Sequence, residues 1–226
     1  MFIRSGAAAA AFLALSALVS LPAPAQAQEG LFFGQAVRGK RAGDLVLGFG
    51  AIGMLPEDGG RVDAIGGKPH ASSTATPQLD LSYFLTPNLS LNLIAATTRH
   101  DVEVRGSALG AVDLGHVWAL PPTLTLQFHP FPQARISPYV GAGLNYTIFY
   151  GEGGGRTAPV TKVDVKNDFG YAVNFGVDIE VAPRWLVNLD AKKLWLDPSV
   201  SVNSGTIGAR ADLNPWIVGA SVRYRF

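Results

Sequence analysis

Four acidic residues fall at strand-like positions, where they could supply acid–base chemistry. They are Asp80, Asp178, Glu180 and Asp190. Paired carboxylates act as general acid and general base when their surroundings hold them in different protonation states. Here each carboxylate shares its strand face with small or polar residues, and Lys192, Arg223 and Arg225 occupy equivalent faces. We therefore expect these carboxylates to be paired charges of a polar interior, without a catalytic role.

The histidines form no recognisable metal or catalytic set. They are His70, His100, His116 and His129, and their spacing matches no metal-ligand pattern. His116 could serve a Ser–His or His–Asp set like those of some lipid-modifying outer-membrane enzymes, but no nucleophile motif accompanies it. The glycine-rich run 151–155 lacks the Gly-Lys-Ser/Thr ending of a phosphate loop. The sequence thus predicts no enzyme, no metal and no cofactor.

The composition also excludes several classes of protein. Only 15% of the 226 residues are charged, compared with about 25% in ordinary soluble domains. Hydrophobic residues make up 48%, the net charge is +1 and cysteine is absent. The charge gives no reason to expect nucleic-acid binding, and disulfides and thiolate chemistry are impossible.

The first 27 residues have the pattern of a signal peptide. Arg4 precedes an apolar stretch from residue 7 to 21, and the run Ala25-Gln26-Ala27 is a typical cleavage site. The apolar stretch is short for a membrane span of about 20 residues, so a short N-terminal anchor is the weaker alternative. We expect residues 1–27 to be removed and residues 28–42 to form an N-terminal periplasmic extension.

From residue 43 to residue 226 the hydrophobic residues recur at every second position. In 169–181 one face is apolar, and the other carries Gly, Ala, Asn, Asp and Glu. This period of two indicates β-strands with one apolar face. Eight strands are predicted, at about 43–53, 79–85, 89–97, 123–128, 139–147, 169–181, 185–193 and 216–226.

The connections between these strands alternate in length. Long connections are predicted at about 54–75, 99–119, 150–167 and 196–211, and short ones at 86–88, 129–137 and 182–184. This asymmetry indicates an all-β fold, an eight-stranded antiparallel transmembrane β-barrel with short periplasmic turns and long extracellular loops. A soluble barrel with an apolar interior is the alternative. It is disfavoured because the polar face carries too few charges to meet water.

Several motifs are more specific than this periodicity. They are Leu120 to Gln127 (LPPTLTLQ), Pro138 to Thr147 (PYVGAGLNYT), Trp185 to Asn188 and the terminal Tyr224-Arg225-Phe226. Together they resemble the outer membrane protein W (OmpW) family, from about Gly43 onwards. The resemblance implies an outer-membrane channel for passive uptake of small hydrophobic molecules, with an apolar extracellular pocket and lateral release into the lipid. Tyr224 and Phe226 resemble the signal that the barrel assembly machinery recognises.

The resemblance also suggests site residues. The tentative pocket lies at extracellular strand ends and consists of Met54, Leu55, Trp118, Leu120, Phe149 and Trp195, with Val117, Ile148 and Leu196 as further candidates. Trp118 and Trp195 could instead be interfacial anchors. In the family, apolar side chains constrict the lumen; the matching positions here are Ile94 and Lys192. Because a buried lysine needs a carboxylate partner, we expect an apolar pocket above a polar plug.

A second function stays open on the sequence alone. The protein could be a structural or surface-receptor barrel whose long loops bind a partner. A hydrophobic channel predicts that the apolar residues at the loop bases form one concave pocket, whereas a receptor barrel predicts a filled lumen with these residues scattered.

Overall fold

The computed structural model describes residues 36–57, 61–62, 66–108, 110–153, 163–202, 207–210 and 214–226. The predicted signal peptide therefore lies outside the described residues. The described part contains no helix long and apolar enough to cross a membrane. Its strands are β1 (Leu45–Leu55), β2 (Arg61–Val62), β3 (Lys68–Ala71), β4 (Thr74–Phe84), β5 (Leu89–Ala95), β6 (Thr98–Ser107), β7 (Gly110–Leu120), β8 (Thr123–Phe128), β9 (Ile136–Gly153), β10 (Val163–Val165), β11 (Asp168–Ala182), β12 (Trp185–Trp195), β13 (Ser199–Val202), β14 (Ile207–Arg210) and β15 (Trp216–Arg225).

Eight of these strands close into an antiparallel barrel. Their order around the wall is β1-β4-β5-β8-β9-β11-β12-β15, and β15 pairs back to β1. Closure leaves no sheet edge, so every strand of the wall has a hydrogen-bonding neighbour on both sides, as lipid requires. The predicted eight-stranded barrel is confirmed, as are the short turns between β4 and β5, β8 and β9, and β11 and β12.

The apolar face of each strand points out of the barrel. Tyr171 is 67% exposed and Phe49 is 64% exposed, whereas Asn92, Gln127 and Asn188 on the inner face are fully buried. This arrangement is the inverse of a soluble barrel, whose apolar face surrounds the interior. The alternative of a soluble barrel is therefore excluded, and the exposed apolar surface is the lipid-facing wall.

The predicted long connection at 99–119 joins β5 and β8, but it is not an irregular loop. This stretch forms the hairpin β6–β7, and β7 then pairs with the end of β9, which runs for 18 residues. On β6 the charged Arg99, Asp101 and Arg105 are exposed, whereas His100 and Val104 are buried. The strand was missed because its outer face meets water and carries charge in place of apolar residues. Short strands in the other long connections form a second sheet, β10-β13-β14-β2.

Candidate functional site

An apolar layer fills the extracellular half of the lumen. Its residues are buried and in mutual contact: Ile52, Met54, Ala96, Ala172, Leu194, Leu196 and Ile217. They project inward from β1, β11, β12 and β15 and from the short segments after β5 and β12. Leu194 is fully buried, and Ile94 on β5 is 2% exposed. This is the part of the lumen whose chemistry suits an apolar solute.

A charged layer fills the lumen on the periplasmic side of the apolar layer. The Arg223 guanidinium donates to Asp80 Oδ2 at 2.9 Å and to Asp178 Oδ1 at 3.0 Å. Arg225 pairs with Glu180 at 3.1 Å. All these side chains are buried, so each charge depends on its partner for the stabilisation that water would otherwise give. The pairing accounts for the burial of these inward carboxylates.

Lys192 stands at the boundary between the two layers. Its ladder partners are Asn174 on β11 and the apolar-layer residue Ile217 on β15. The Lys192 ammonium contacts the carboxylate of Asp190 two positions away on the same strand. Asp190 also accepts hydrogen bonds from the Tyr139 hydroxyl at 2.7 Å and from Asn174 Nδ2 at 3.1 Å. An ion pair therefore occupies a position at which the resemblance implies an apolar side chain.

The segment before β1 closes the periplasmic end of the lumen. Glu180 accepts backbone hydrogen bonds from Arg38 at 2.6 Å and Gly39 at 3.2 Å, and Arg225 donates to the Gly39 carbonyl at 2.9 Å. Lys40 follows and is 2% exposed. The sequence analysis assigned residues 28–42 to a periplasmic extension. It did not predict that residues 38–40 contact the lumen, because no periodic pattern marks them.

The wall contains a gap in its hydrogen-bond ladder next to the apolar layer. The β5–β8 ladder ends at the pair Ile94↔Thr123, and the β6–β7 ladder starts at Thr98↔Ala119. The two ladders have the same register, so residues 95–97 lie opposite residues 120–122. These six residues are all part of the described structure, and no ladder pair joins the two stretches. Pro121 and Pro122 have no N–H to donate. Ala96 of the apolar layer lies within this ladder gap.

The structure does not bring the six tentative pocket residues together. Met54 is buried in the apolar layer, and Phe149 pairs with the buried Ala119 and shares its inward face. Leu55 and Trp195 are outward, with 43% and 44% of their surface exposed.

Trp118 and Leu120 also lie on the outer face, because they alternate with the buried Val117 and Ala119. The Trp118 ring stacks on Tyr150, with centroids 6.4 Å apart. Of the further candidates, Val117 and Leu196 are buried, whereas Ile148 shares the outer face of Leu120. Strand alternation explains the split, since neighbouring residues at a strand end face opposite sides.

Five apolar-layer residues were missed: Ile52, Ala96, Ala172, Leu194 and Ile217. The alternation along the strands gave a signal for all of them except Ala96. Leu194 follows Lys192 at the inward spacing of two, and Ile52 and Ile217 continue the inward faces of β1 and β15. Extending the alternation to the ends of the strands would have found them.

Within the described residues no three His, Asp or Glu side chains are placed to hold a metal ion. The His116 ring packs over Gly153, where a Cβ would collide with it.

Comparison with known proteins relates the sequence and the fold to outer-membrane proteins. The sequence matches the OmpW family over residues 41–226. It is 34% identical over 199 residues to outer membrane protein W of Escherichia coli, covering 82% of this chain and 89% of that protein. It is 26% identical over 188 residues to the dibenzothiophene metabolism operon protein PahQ of Pseudomonas aeruginosa, covering 82% and 87%. Its fold resembles the crystal structure of the outer membrane protein OprG from Pseudomonas aeruginosa, with a TM-score of 0.77, 25% identity and coverage of 84% and 99%.

Proposed function

Because the chain belongs to the OmpW family of outer-membrane proteins, we propose that it is a passive channel for small hydrophobic molecules. A permeant enters at the extracellular end, rests against the apolar layer and leaves sideways into the bilayer through the ladder gap. The observation that carries this proposal is the position of Ala96, which belongs both to the apolar layer and to the gap.

The two layers of the lumen favour this route. Moving apolar surface from water onto an apolar layer is favourable by roughly 25 cal/mol per Å², so uptake needs no energy input. The charged layer beneath is buried and paired, and an apolar molecule passing it would separate charges without replacing their partners. The sideways path is therefore the less costly one.

The ladder gap lowers the cost of opening the wall. Each backbone hydrogen bond of a sheet contributes about 0.5–1.5 kcal/mol net. At residues 95–97 and 120–122 no such bonds have to break before the strands separate. The flanking ladders keep the same register and hold the barrel together while the gap widens.

The relative from the dibenzothiophene metabolism operon supports an apolar substrate class. Dibenzothiophene is an uncharged aromatic compound. We extend this chemical class, small uncharged apolar compounds, to the present chain.

A receptor role is the second candidate, and two observations favour it. The tentative pocket residues are scattered over both faces of the wall, and the two layers fill the lumen. The β6–β7 hairpin prolongs the wall, and its outer face carries the ion pairs Arg99–Asp101 and Arg105–Glu103. A charged outer face of this kind could bind a partner at the cell surface.

We further propose how the protein reaches the membrane. Residues 1–27 direct export and are removed, and the barrel assembly machinery recognises the C-terminal strand. The aromatic residues there are clustered, with Tyr224 centred 4.9 Å from both Trp185 and Phe226.

Uptake across the outer membrane tests the proposed function. Cells with and without the protein are given an apolar dye or a sugar of similar size. We expect the protein to speed the entry of the dye but not of the sugar. Ala96→Trp, which fills the gap, should abolish this faster entry of the dye. Ala191→Trp, on the lipid face, is the matched control. Equal rates for both solutes with and without the protein would contradict the channel and favour the receptor.

A further inference from the structure

We propose that the periplasmic half of the lumen contains a binding site for a primary ammonium group, and that the chain fills this site with its own Lys40. The inference does not depend on the proposed function, because it concerns the charged layer alone.

The site supplies one acceptor for each proton of the ammonium. Lys40 Nζ lies 2.8 Å from Asp178 Oδ2, 2.8 Å from Ser137 Oγ and 2.7 Å from His129 Nδ1. A lysine ammonium has three N–H donors and no acceptor, so these three contacts satisfy it completely. The Phe84 ring lies against it, with its centroid 5.6 Å from Nζ, and adds a cation–π attraction.

His129 is fixed as an acceptor. Burial first, and the neighbouring Lys40 charge second, lower the pKa of His129 to about 3, so the ring is neutral near pH 7. Because an ammonium only donates, Nδ1 accepts from Lys40 and the ring proton is on Nε2. Nε2 lies 3.0 Å from Ser90 Oγ, which can accept from it while donating to Gln127 Oε1 at 3.4 Å. Packing against Phe84 and Tyr139, each with its centroid 5.1 Å away, holds the ring in this orientation.

Asp178 keeps one oxygen for the ammonium. Its Oδ1 accepts from Arg223 at 3.0 Å and from Asn188 at 2.9 Å. Its Oδ2 faces Lys40, and Asp178 is 2% exposed, so water does not reach it freely. Without an ammonium the site would hold a buried, unpaired carboxylate oxygen, which is costly. The lumen therefore provides a buried site whose acceptors require a cation that donates hydrogen bonds.

A tight turn at Gly39 positions Lys40 in this site. Gly39 has a φ of +71°, and a Cβ there would lie 2.1 Å from Oε1 of Gln133. The Lys40 backbone is fixed on both sides, since its N–H donates to the Pro132 carbonyl and Gln133 Nε2 donates to its carbonyl, both at 2.9 Å. Residues 38–40 thus act as an intramolecular ligand that seats Lys40 and closes the lumen.

Chemical rescue of a truncated lysine tests the site. Lys40→Ala removes the equivalent of a propylammonium group, so n-propylammonium chloride is the probe. The full-length barrel is unfolded thermally in detergent, with tetramethylammonium chloride at equal ionic strength as the comparison. This cation carries the same charge but has no N–H donor. Arg41→Ala, at an exposed position in the same segment, is the control variant.

We expect Lys40→Ala to lower the unfolding midpoint by on the order of 10 °C. Propylammonium should restore most of this loss in a saturable manner, with no effect on wild type or Arg41→Ala, and tetramethylammonium should restore none. An unchanged midpoint, or equal responses to the two salts, would overturn the proposal. If Lys40→Ala does not fold, the proposal is tested by measuring its refolding yield in the presence of each salt. Recovery with propylammonium alone supports the site, and no recovery or equal recovery rejects it.

Discussion

Arg223 and Asp178 lie 3.0 Å apart with 3% of each side chain exposed, and the same guanidinium holds Asp80 at 2.9 Å. One cation on β15 therefore joins carboxylates from β4 and β11, on opposite sides of it around the wall. The charged layer links distant strands across the lumen, in addition to the ladders that link neighbours.

Removing this link should be strongly destabilising. Arg223→Met leaves Asp80 without its cation and Asp178 with Lys40 alone. Breaking a buried ion pair from one side costs about 3–5 kcal/mol, and we expect a loss of this order in the free energy of unfolding in urea. Arg99→Met removes the exposed pair with Asp101, with an expected cost of about 0–1 kcal/mol. Similar losses for the two variants would show that the charged layer does not stabilise the barrel.

Gly176 allows the Tyr139 hydroxyl to reach Asp190. A Cβ at position 176 would lie 2.5 Å from Tyr139 Oη and 2.5 Å from the Leu189 carbonyl. We expect Gly176→Ala to lower the free energy of unfolding by about 1–3 kcal/mol through overpacking. Gly53→Ala is the control, because its Cβ would meet only Val218 at 3.7 Å. The expectation fails if the two alanine variants unfold at the same urea concentration.

Acidification should weaken the barrel through His129. Its pKa is about 3 in the folded state, compared with 6.5 for an unperturbed histidine. Below pH 6.5 the unfolded chain binds a proton that the folded barrel does not, so stability falls as the pH decreases. At pH 5 the loss from this group is about 2 kcal/mol.

Comparison with His129→Asn isolates this effect, because the variant lacks the titrating ring. From pH 7.5 to pH 5 the wild type should lose about 2 kcal/mol more unfolding free energy than the variant, because only the wild type carries the titrating ring. A constant difference would mean that His129 titrates alike in the folded and unfolded chains.

The two prolines of the ladder gap should differ in their effect on uptake. The Pro122 carbonyl accepts from Tyr146 N–H on β9 at 3.1 Å, so the backbone polar groups of Pro122 face β9. Backbone groups of consecutive strand residues point to opposite neighbours, so the backbone polar groups of Pro121 point towards Ala96, away from β9. Pro121→Ala restores a donor towards the gap, and we expect slower uptake of an apolar dye. Pro122→Ala should leave the rate nearly unchanged. Equal rates in Pro121→Ala and wild type would contradict exit through this gap.

The strand faces could be predicted from the sequence because lipid and lumen impose a strict alternation. Phe169 and Tyr171 were correctly placed outside, and Asp178 and Lys192 inside. The β6–β7 hairpin was missed because its outer face meets water, where Arg99 and Asp101 replace the apolar residues that marked the other strands.

The lumen contacts of Lys40 could not be predicted. They join residues up to 138 positions apart, as between Lys40 and Asp178, and no local pattern encodes such a contact. The pocket prediction used position along a strand without its parity. It therefore included Leu55, Trp195, Trp118 and Leu120, which lie on the outer face.

The length of β9 has a consequence for where a solute first meets the protein. Eighteen residues at about 3.3 Å each span roughly 60 Å along the strand, whereas the apolar band of a barrel is about 25 Å tall. Even with a tilt, β9 and the hairpin beside it form a collar that stands well clear of the lipid. On the proposed route, a hydrophobic molecule arriving from the medium therefore contacts this part of the wall before it reaches the lipid.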